Sequence, residues 1–257
     1  MQTSIDKPKT CPVLGIPLAI TTYADAVERT RCWAESGGVW AVGAAATHFV
    51  TLSKHHAEFR EALRDFDMIT PDGMPLVWVM NAKGAGMSDR VYGPTLMLHA
   101  LQQPGIPHFL MGGSEAMLEK LQIKLKERFP GIQIVGAHSP PFGNWPADED
   151  DRIIAKIAAS GAKYIWVGLG CPKQELWIAR NKKKLPPGVY FAIGAAFPFH
   201  SGMVKQAPAW MQKRGLEWLF RLVNEPRRLW KRYLVYNSLF IYHVLRHELK
   251  EALNAGD

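Results

Sequence analysis

Short apolar runs alternate with helical patterns over about the first 200 residues, and glycine and proline separate them. The clearest unit is an apolar strand at 108–111, a Gly-Gly-Ser turn, an amphipathic helix at 115–129 and a second strand at 132–137. A similar unit follows, with strands at 163–167 and 189–193. This alternation predicts an α/β fold, a mostly parallel sheet with helices on both faces.

The remaining segments predict further strands and helices of the same α/β fold. The patterns predict a strand or hairpin arm at 13–20, a helix at 23–35, a strand at 39–45, a helix at 49–64, a short strand at 68–70 and helices at 148–160 and 173–184. Beyond about residue 204 the pattern is helical to the end, with a break at Pro226. We therefore expect an α/β body at 1–204 and a C-terminal helical appendage at 205–257.

Most of the net charge lies in this appendage. The chain carries +8, and residues 205–232 hold eight lysines and arginines against Glu217 and Glu225, a local charge of +6. Aromatic side chains are interleaved with these cations. This mixture is typical of an element that binds an anionic membrane surface, here over 205–245, although an amphipathic helix packed on the body is the alternative. No nucleic-acid-binding motif accompanies the charge, so we expect no nucleic acid partner.

Composition excludes disordered chains and small disulfide scaffolds, since 47% of the 257 residues are hydrophobic and 21% are charged. Three widely spaced cysteines indicate a reducing, cytoplasmic compartment. The first ten residues are polar, so we expect no secretory signal. The longest apolar-leaning stretch, 233–245, is shorter than the roughly 20 residues that span a bilayer.

Four loops follow predicted strands and should meet at one edge of the sheet, where ligands of parallel sheets bind. They are 70–73, 111–114, 168–175 and 194–197. In the third loop, glycines allow close approach of a ligand, and the following helix N-terminus favours a negative group. A tight turn without a ligand is the alternative. The third glycine of the dinucleotide fingerprint is missing, which disfavours a nicotinamide-dependent oxidoreductase.

Two acidic features could carry chemistry. Asp72 lies between Pro71 and Gly73 after a strand, where its carboxylate could act as a general base or cap the next helix. Asp65 and Asp67 form a D-x-D pattern that could hold a divalent metal. They precede a strand rather than follow one and should face away from the ligand edge, so we predict no metal.

Together these motifs resemble the WecG/TagA/CpsF glycosyltransferase family over about residues 12–235. The matching stretches are TPDGMPLV (70–77), RVYGP (90–94), HFLMGG (108–113), WVGLGCPKQELW (166–177), GAAF (194–197) and, in the appendage, GLEW (215–218) and EPRR (225–228).

The resemblance implies an inverting, metal-independent transferase with a Rossmann-like body and no cofactor. It would move a sugar from a UDP donor to a polyprenyl-diphosphate-linked sugar at the cytoplasmic face of the membrane, in cell-surface polysaccharide synthesis. Asp72 matches the proposed general base, and Gln174 is the expected direct contact with the nucleotide sugar. The other implied substrate-binding residues are Arg90, Gly112, Gly113, Gly168, Gly170, Pro172, Lys173, Glu175 and, over the diphosphate, Arg214 and Arg221. Thr47 and His48 are further candidates, as substitutes for the polar Thr/Asn group that the family usually has after the second strand.

The donor sugar stays open between N-acetylmannosamine, another hexose and a uronic acid. The reason is that Ala44, Ala46, Thr95 and Pro198 stand where the family usually has other, mostly polar residues. A catalytically weakened membrane scaffold that keeps the fold is the alternative function, and a homo-oligomer stays open.

Overall fold

The computed structural model describes residues 6–254, except for the side chains at 209, 213, 228, 231, 232 and 247–254. Its strands are β1 (Thr10–Val13), β2 (Ile16–Ala19), β3 (Val39–Ala45), β4 (Met68–Pro71), β5 (Pro107–Gly112), β6 (Gln133–His138), β7 (Tyr164–Gly168) and β8 (Gly188–Ala192). The helices of the body are α1 (Tyr23–Glu35), α2 (Thr47–His55), α3 (Ala57–Ala62), α4 (Met74–Ala82), α5 (Gly93–Leu101), α6 (Glu115–Arg128), α7 (Glu149–Ser160), α8 (Lys173–Asn181) and α9 (Ala196–His200).

Six strands form one sheet in the order β4-β3-β8-β7-β5-β6, and every neighbouring pair is parallel. This confirms the predicted Rossmann-like architecture. The first two strands form a separate antiparallel hairpin through Leu14 and Gly15, which both have positive φ as a two-residue turn requires. Because all six strands run the same way, the loops after β3, β4, β7 and β8 lie together at one edge.

Helices cover both faces of the sheet, which is why the side chains of its strands alternate between two apolar cores. In β7, Tyr164 and Trp166 pack into one core, and Ile165 and Val167 pack into the other. The first core also contains buried residues of α1, α5, α6 and α9, and the second contains residues of α2, α3, α4, α7 and α8. The predicted three-layer arrangement is therefore confirmed.

Some helix boundaries differ from the prediction. The helix expected at 49–64 is interrupted at His56, whose backbone is extended and whose ring Nδ1 accepts a hydrogen bond from the Phe59 N–H at 3.2 Å. An extended residue cannot continue a helix, so α3 starts afresh after it. Helices α5 and α9 were not predicted, because their sequences are apolar with little polar alternation.

The appendage is helical, as expected, with a break before Pro226. It comprises α10 (Ala209–Lys213), α11 (Glu217–Asn224), α12 (Pro226–Trp230), a π-helical turn at Lys231–Val235 and α13 (Tyr236–Asn254). The long helix α13 packs along α2, where the Thr47 hydroxyl donates to Asn237 Oδ1 at 2.6 Å and Phe240 is buried. This contact brings the appendage to the carboxyl ends of the strands.

Candidate functional site

A cavity of about 390 Å³ lies at the carboxyl ends of β3, β4, β7 and β8. The loops after these strands form its floor, and the appendage forms one wall. The appendage residues in that wall are Gly215, Glu217, Trp218, Arg221, Leu229, Tyr233 and Asn237. The body and the appendage together therefore enclose the site.

Asp72 lies in the cavity on a tightly held loop. Its backbone N–H donates to the Ala45 carbonyl at 2.8 Å, and its Oδ1 accepts from the Gly93 N–H at 2.6 Å. Only glycine fits at position 93, because a Cβ there would lie 2.6 Å from the Ile193 side chain. Asp72 is thus fixed by two backbone contacts and leaves its second carboxylate oxygen for other partners.

Burial raises the pKa of Asp72 above the usual aspartate range. The positive charge of Arg90 and the Gly93 N–H act against this shift, Glu217 adds to it, and Arg221 acts against it. A carboxylate with a raised pKa is a stronger base than an ordinary one, which suits the removal of a proton from a hydroxyl group.

Glu217 of the appendage joins the two walls of the cavity. Its carboxylate pairs with Arg90 Nη2 at 2.9 Å and accepts a short hydrogen bond from the Tyr92 hydroxyl. The side chains of Arg90 and Glu217 are only 11% and 8% exposed, and the guanidinium stacks 4.4 Å from the Tyr92 ring centroid. Arg90 Nη1 also donates to the Asp72 carbonyl at 3.2 Å. One buried carboxylate therefore anchors the appendage to the loop of Asp72.

Gln174 connects two of the loops in the cavity floor. Its Oε1 accepts from the N–H groups of Gly170 and Gly194 at 3.0 and 3.1 Å, and its Nε2 donates to Glu175 and to the Ala192 carbonyl at 2.8 Å. The whole amide is occupied by protein partners. The direct ligand contact expected for Gln174 stays a prediction, and the observed role of this side chain is to position the loops.

Several helices begin at the cavity without a side-chain cap, among them α2, α4, α5 and α8. By contrast, the hydroxyls of Thr22 and Ser114 cap α1 and α6. Uncapped helix N-termini present backbone N–H groups and a partial positive charge. At α5 the Gly93 N–H already binds Asp72, and in the first turn of α4 Pro75 has no N–H to donate. The starts of α2 and α8 are therefore the better sites for an anionic ligand.

The two predicted arginines of the appendage occupy different places. Arg221 lines the cavity with its guanidinium 5.2 Å from the Phe199 ring centroid, and its buried Nε has no hydrogen-bond acceptor among the described residues. Arg214 is exposed, does not line the cavity, and lies over the Trp210 ring at 5.7 Å. A buried guanidinium N–H without an acceptor is suited to an anion in the cavity.

The structure brings together part of the predicted site. The predicted residues that line the cavity are Thr47, His48, Asp72, Arg90, Gly170, Gln174, Glu175 and Arg221, and those that do not are Gly112, Gly113, Gly168, Pro172, Lys173 and Arg214. Gly112 instead allows β5 and β7 to end side by side, because a Cβ on it would lie 2.5 Å from the Gly168 carbonyl. Gly168 makes room for the Phe197 ring of α9, which a Cβ there would approach to 2.6 Å.

Sequence reasoning missed the role of Glu217 and Tyr92 at the cavity wall. One signal for Glu217 was present, since it is one of only two acidic residues in a segment of charge +6. An isolated acid among many cations is a candidate for a buried ion pair. Tyr92 lies inside the RVYGP motif at 90–94, but nothing in the sequence pattern indicated its partner.

The D-x-D aspartates lie at the opposite, amino end of β4. Asp67 accepts from the Ala41 N–H at 2.8 Å and forms ion pairs with Lys7 and Lys182. Throughout residues 6–254, no group of three or more His, Cys, Asp or Glu side chains could hold a metal ion, as far as side chains are described. Over the same part of the chain, no helix is long and apolar enough to cross a membrane.

Comparison with known proteins decides the family. The model of the WecG/TagA/CpsF glycosyl transferase family matches residues 11–254. The chain belongs to this family. It is 30% identical over 197 residues to an N-acetylglucosaminyldiphosphoundecaprenol N-acetyl-beta-D-mannosaminyltransferase of Bacillus spizizenii, an alignment that covers 76% of this chain and 74% of the relative. The resemblance in the sequence motifs is thereby confirmed, and the protein is a glycosyltransferase.

Three of the residues that differ from the usual pattern of this glycosyltransferase family line the cavity, namely Ala44, Ala46 and Pro198. The fourth, Thr95, lies outside the lining. The cavity surface near the ends of β3 and β8 therefore includes three apolar side chains.

The raised pKa of Asp72 predicts the effect of Asp72→Asn on stability. The native state binds this proton more tightly than the unfolded chain, so the charged carboxylate lowers stability above its raised pKa. The penalty disappears as pH falls below the ordinary aspartate value of about 3.9. Since Asn keeps the acceptor for Gly93, we expect thermal denaturation near pH 7.5 to give Asp72→Asn a midpoint equal to or above that of the wild type.

Asp151→Asn is the control, because the Asp151 side chain is 66% exposed. The thermal denaturation midpoint of Asp151→Asn should stay close to that of the wild type near pH 7.5 and at acidic pH. A midpoint for Asp72→Asn that is several degrees below the wild type near pH 7.5 would contradict the assignment of a buried, destabilising charge.

Proposed function

We propose that this protein is an inverting, metal-independent glycosyltransferase that moves a sugar from a UDP donor to a polyprenyl-diphosphate-linked sugar. The observation that carries the proposal is the joint presence, in one cavity, of a half-buried carboxylate whose pKa is raised by desolvation and a buried guanidinium N–H without an acceptor among the described residues. The first suits a base and the second suits a diphosphate.

In the proposed reaction, a hydroxyl of the acceptor sugar attacks the anomeric carbon of the donor on the face opposite UDP. The new C–O bond forms as the bond to the diphosphate oxygen breaks, and that oxygen keeps the electron pair. Asp72 accepts the hydroxyl proton. Attack from the opposite face inverts the anomeric configuration, and the Gly93 N–H keeps the carboxylate in one orientation throughout.

The departing diphosphate gains negative charge as the bond breaks. Arg221 and the uncapped N-termini of α2 and α8 supply positive potential at fixed positions in a partly enclosed site. Fixed donors of this kind need no reorganisation during the reaction. They take the place that Mg²⁺ occupies in metal-dependent transfer, which supports a reaction without a cation.

The relative from Bacillus spizizenii transfers N-acetylmannosamine to a diphosphoundecaprenol-linked N-acetylglucosamine, according to its name. This supports a donor of the N-acetylmannosamine type and a polyprenyl-diphosphate acceptor in cell-surface polysaccharide synthesis. A related hexose is the second candidate donor, because Ala44, Ala46 and Pro198 give the cavity a less polar lining.

The surface of the appendage is further support for an enzyme that acts at a membrane. Its exposed apolar side chains are Trp210, Leu219, Val223, Trp230, Leu234, Val235, Ile241, Tyr242 and Leu245. Lysines and arginines accompany them in the sequence, a combination that binds the boundary of an anionic bilayer. We place the enzyme peripherally on the cytoplasmic face of the plasma membrane, where such an acceptor would be presented.

Replacing Asp72 tests the base. Asp72→Asn keeps the shape and removes the proton acceptor, so kcat should fall by about 10²–10⁴-fold while the affinity for UDP changes little. Radiolabelled transfer to a short-chain lipid-linked acceptor and calorimetric titration with UDP measure the two quantities. For the wild type, neither kcat nor the affinity for UDP should change when excess EDTA is added.

Three outcomes would contradict this function. Near-wild-type turnover by Asp72→Asn removes Asp72 from the role of base. Activity that depends strictly on Mg²⁺ refutes the metal-independent reaction. Failure of the wild type to bind any UDP sugar, together with intact vesicle binding, favours the non-catalytic membrane scaffold.

Truncation tests the appendage. A chain ending at residue 204 loses one cavity wall, Arg221 and the exposed apolar residues, so it should neither bind vesicles containing phosphatidylglycerol nor transfer sugar. A chain ending at residue 246 keeps these features and is the control. Circular dichroism and cooperative unfolding should show that the shorter body is folded, and full activity of that body on a lipid-linked acceptor would refute the role of the appendage.

A further inference from the structure

An exposed tryptophan lies beside the cavity without belonging to its lining. Helix α4 buries Leu76, Val77 and Met80 against the body, while Trp78 on another side of the helix is 57% exposed. The exposed part of this indole ring is apolar surface that a ligand could cover.

The position of this ring relates it to Asp72. Helix α4 begins two residues after Asp72, Met74 lines the cavity, and Trp78 follows Met74 by four residues and so lies on the same face of the helix. From Asp72 outward, the loop and the first two turns of α4 present a carboxylate, a thioether and an indole.

Gly215 of the appendage brings the indole to the rim of the cavity. Gly215 is itself part of the lining, and a Cβ at this position would lie 3.4 Å from Met74 Cβ and 3.7 Å from Trp78 Cη2. Because glycine has no side chain, residue 215 places no side-chain atom against the edge of the ring. The Met74–Trp78 face is thus continuous with the site that contains Asp72.

The chemistry of the transfer determines what this face can bind. The hydroxyl that Asp72 deprotonates belongs to the acceptor sugar, so that sugar must lie against the loop of Asp72 and the first turn of α4. The anion-binding groups, Arg221 and the N-termini of α2 and α8, belong to other elements and suit the donor. A sugar ring has an apolar C–H face, and aromatic and thioether side chains cover such a face well.

We infer that the acceptor sugar stacks on the Met74–Trp78 face of α4 and enters the cavity over the rim at Gly215. The inference rests on the proposed function and adds to it a separate acceptor subsite. It assigns Trp78 to positioning and affinity, with no part in proton transfer.

Kinetics of Trp78→Ala test this subsite. The KM for the lipid-linked acceptor should rise about tenfold, whereas the KM for the UDP sugar and kcat at saturating acceptor should change less than about twofold. Trp78→Phe, which keeps an aromatic face, should restore most of the loss. Phe142→Ala is the matched control, because Phe142 is a fully exposed aromatic residue outside the cavity lining, and its KM values should equal those of the wild type.

Measuring KM with two acceptors, which carry the same sugar on a long or a short prenyl chain, distinguishes contact of Trp78 with the sugar from contact with the lipid. An equal rise in KM with both supports stacking of the sugar. A rise with the long chain alone assigns Trp78 to the lipid and overturns the inference, as does an unchanged acceptor KM in an active Trp78→Ala enzyme. If the wild type transfers no sugar from any UDP donor, the proposed function itself fails.

Discussion

The buried ion pair between Glu217 and Arg90 joins two parts of the chain that are 127 residues apart in sequence. Removing either charge would leave its partner buried and uncompensated, at a cost of about 3–5 kcal/mol. The pair and the Tyr92 hydroxyl together fix the start of α11 against the loop that carries Asp72. The partly enclosed shape of the cavity, the position of Arg221 and the rim at Gly215 depend on this attachment together with the packing of α13 against α2.

The contacts of Glu217 and Arg90 also determine how positive and negative charges are distributed in the cavity. Asp72 and Glu217 are two acids in one partly enclosed space, and Arg90 and Arg221 lie close enough to act on the pKa of Asp72. Arg90 is committed to Glu217 and to the Asp72 carbonyl, whereas the buried Nε of Arg221 has no acceptor within the described part of the chain. The site can therefore accept a further negative group near Arg221 without first breaking an ion pair.

Local patterns in the sequence were sufficient to predict the sheet and most helices, because alternation and glycine or proline punctuation report directly on strands and turns. The break at His56 escaped prediction, since it depends on one ring nitrogen capping the Phe59 N–H. Asp72 could be placed at the sheet edge from its position after a strand. Glu217, Tyr92 and the internal bonding of Gln174 could not, because their partners are distant in sequence and only packing brings them together.

The glycine motifs show a further limit of sequence reasoning. Gly170 lines the cavity, whereas Gly112 serves the close approach of β5 and β7 and Gly168 makes room for the Phe197 ring. All three stand in equally suggestive loops, and spacing alone does not distinguish a glycine that admits a ligand from one that admits a neighbouring strand. The distinction depends on which strands end side by side, a property of the sheet order.

A crystal structure of the full chain with UDP, grown in the presence of EDTA, tests the central claim most directly. The account predicts electron density for the diphosphate in the cavity, within hydrogen-bonding distance of Arg221 and of backbone N–H groups at the start of α2 or α8, with the Asp72 carboxylate facing the side from which an acceptor enters. Density for the nucleotide at another surface, or a diphosphate held only through an added cation, would contradict it.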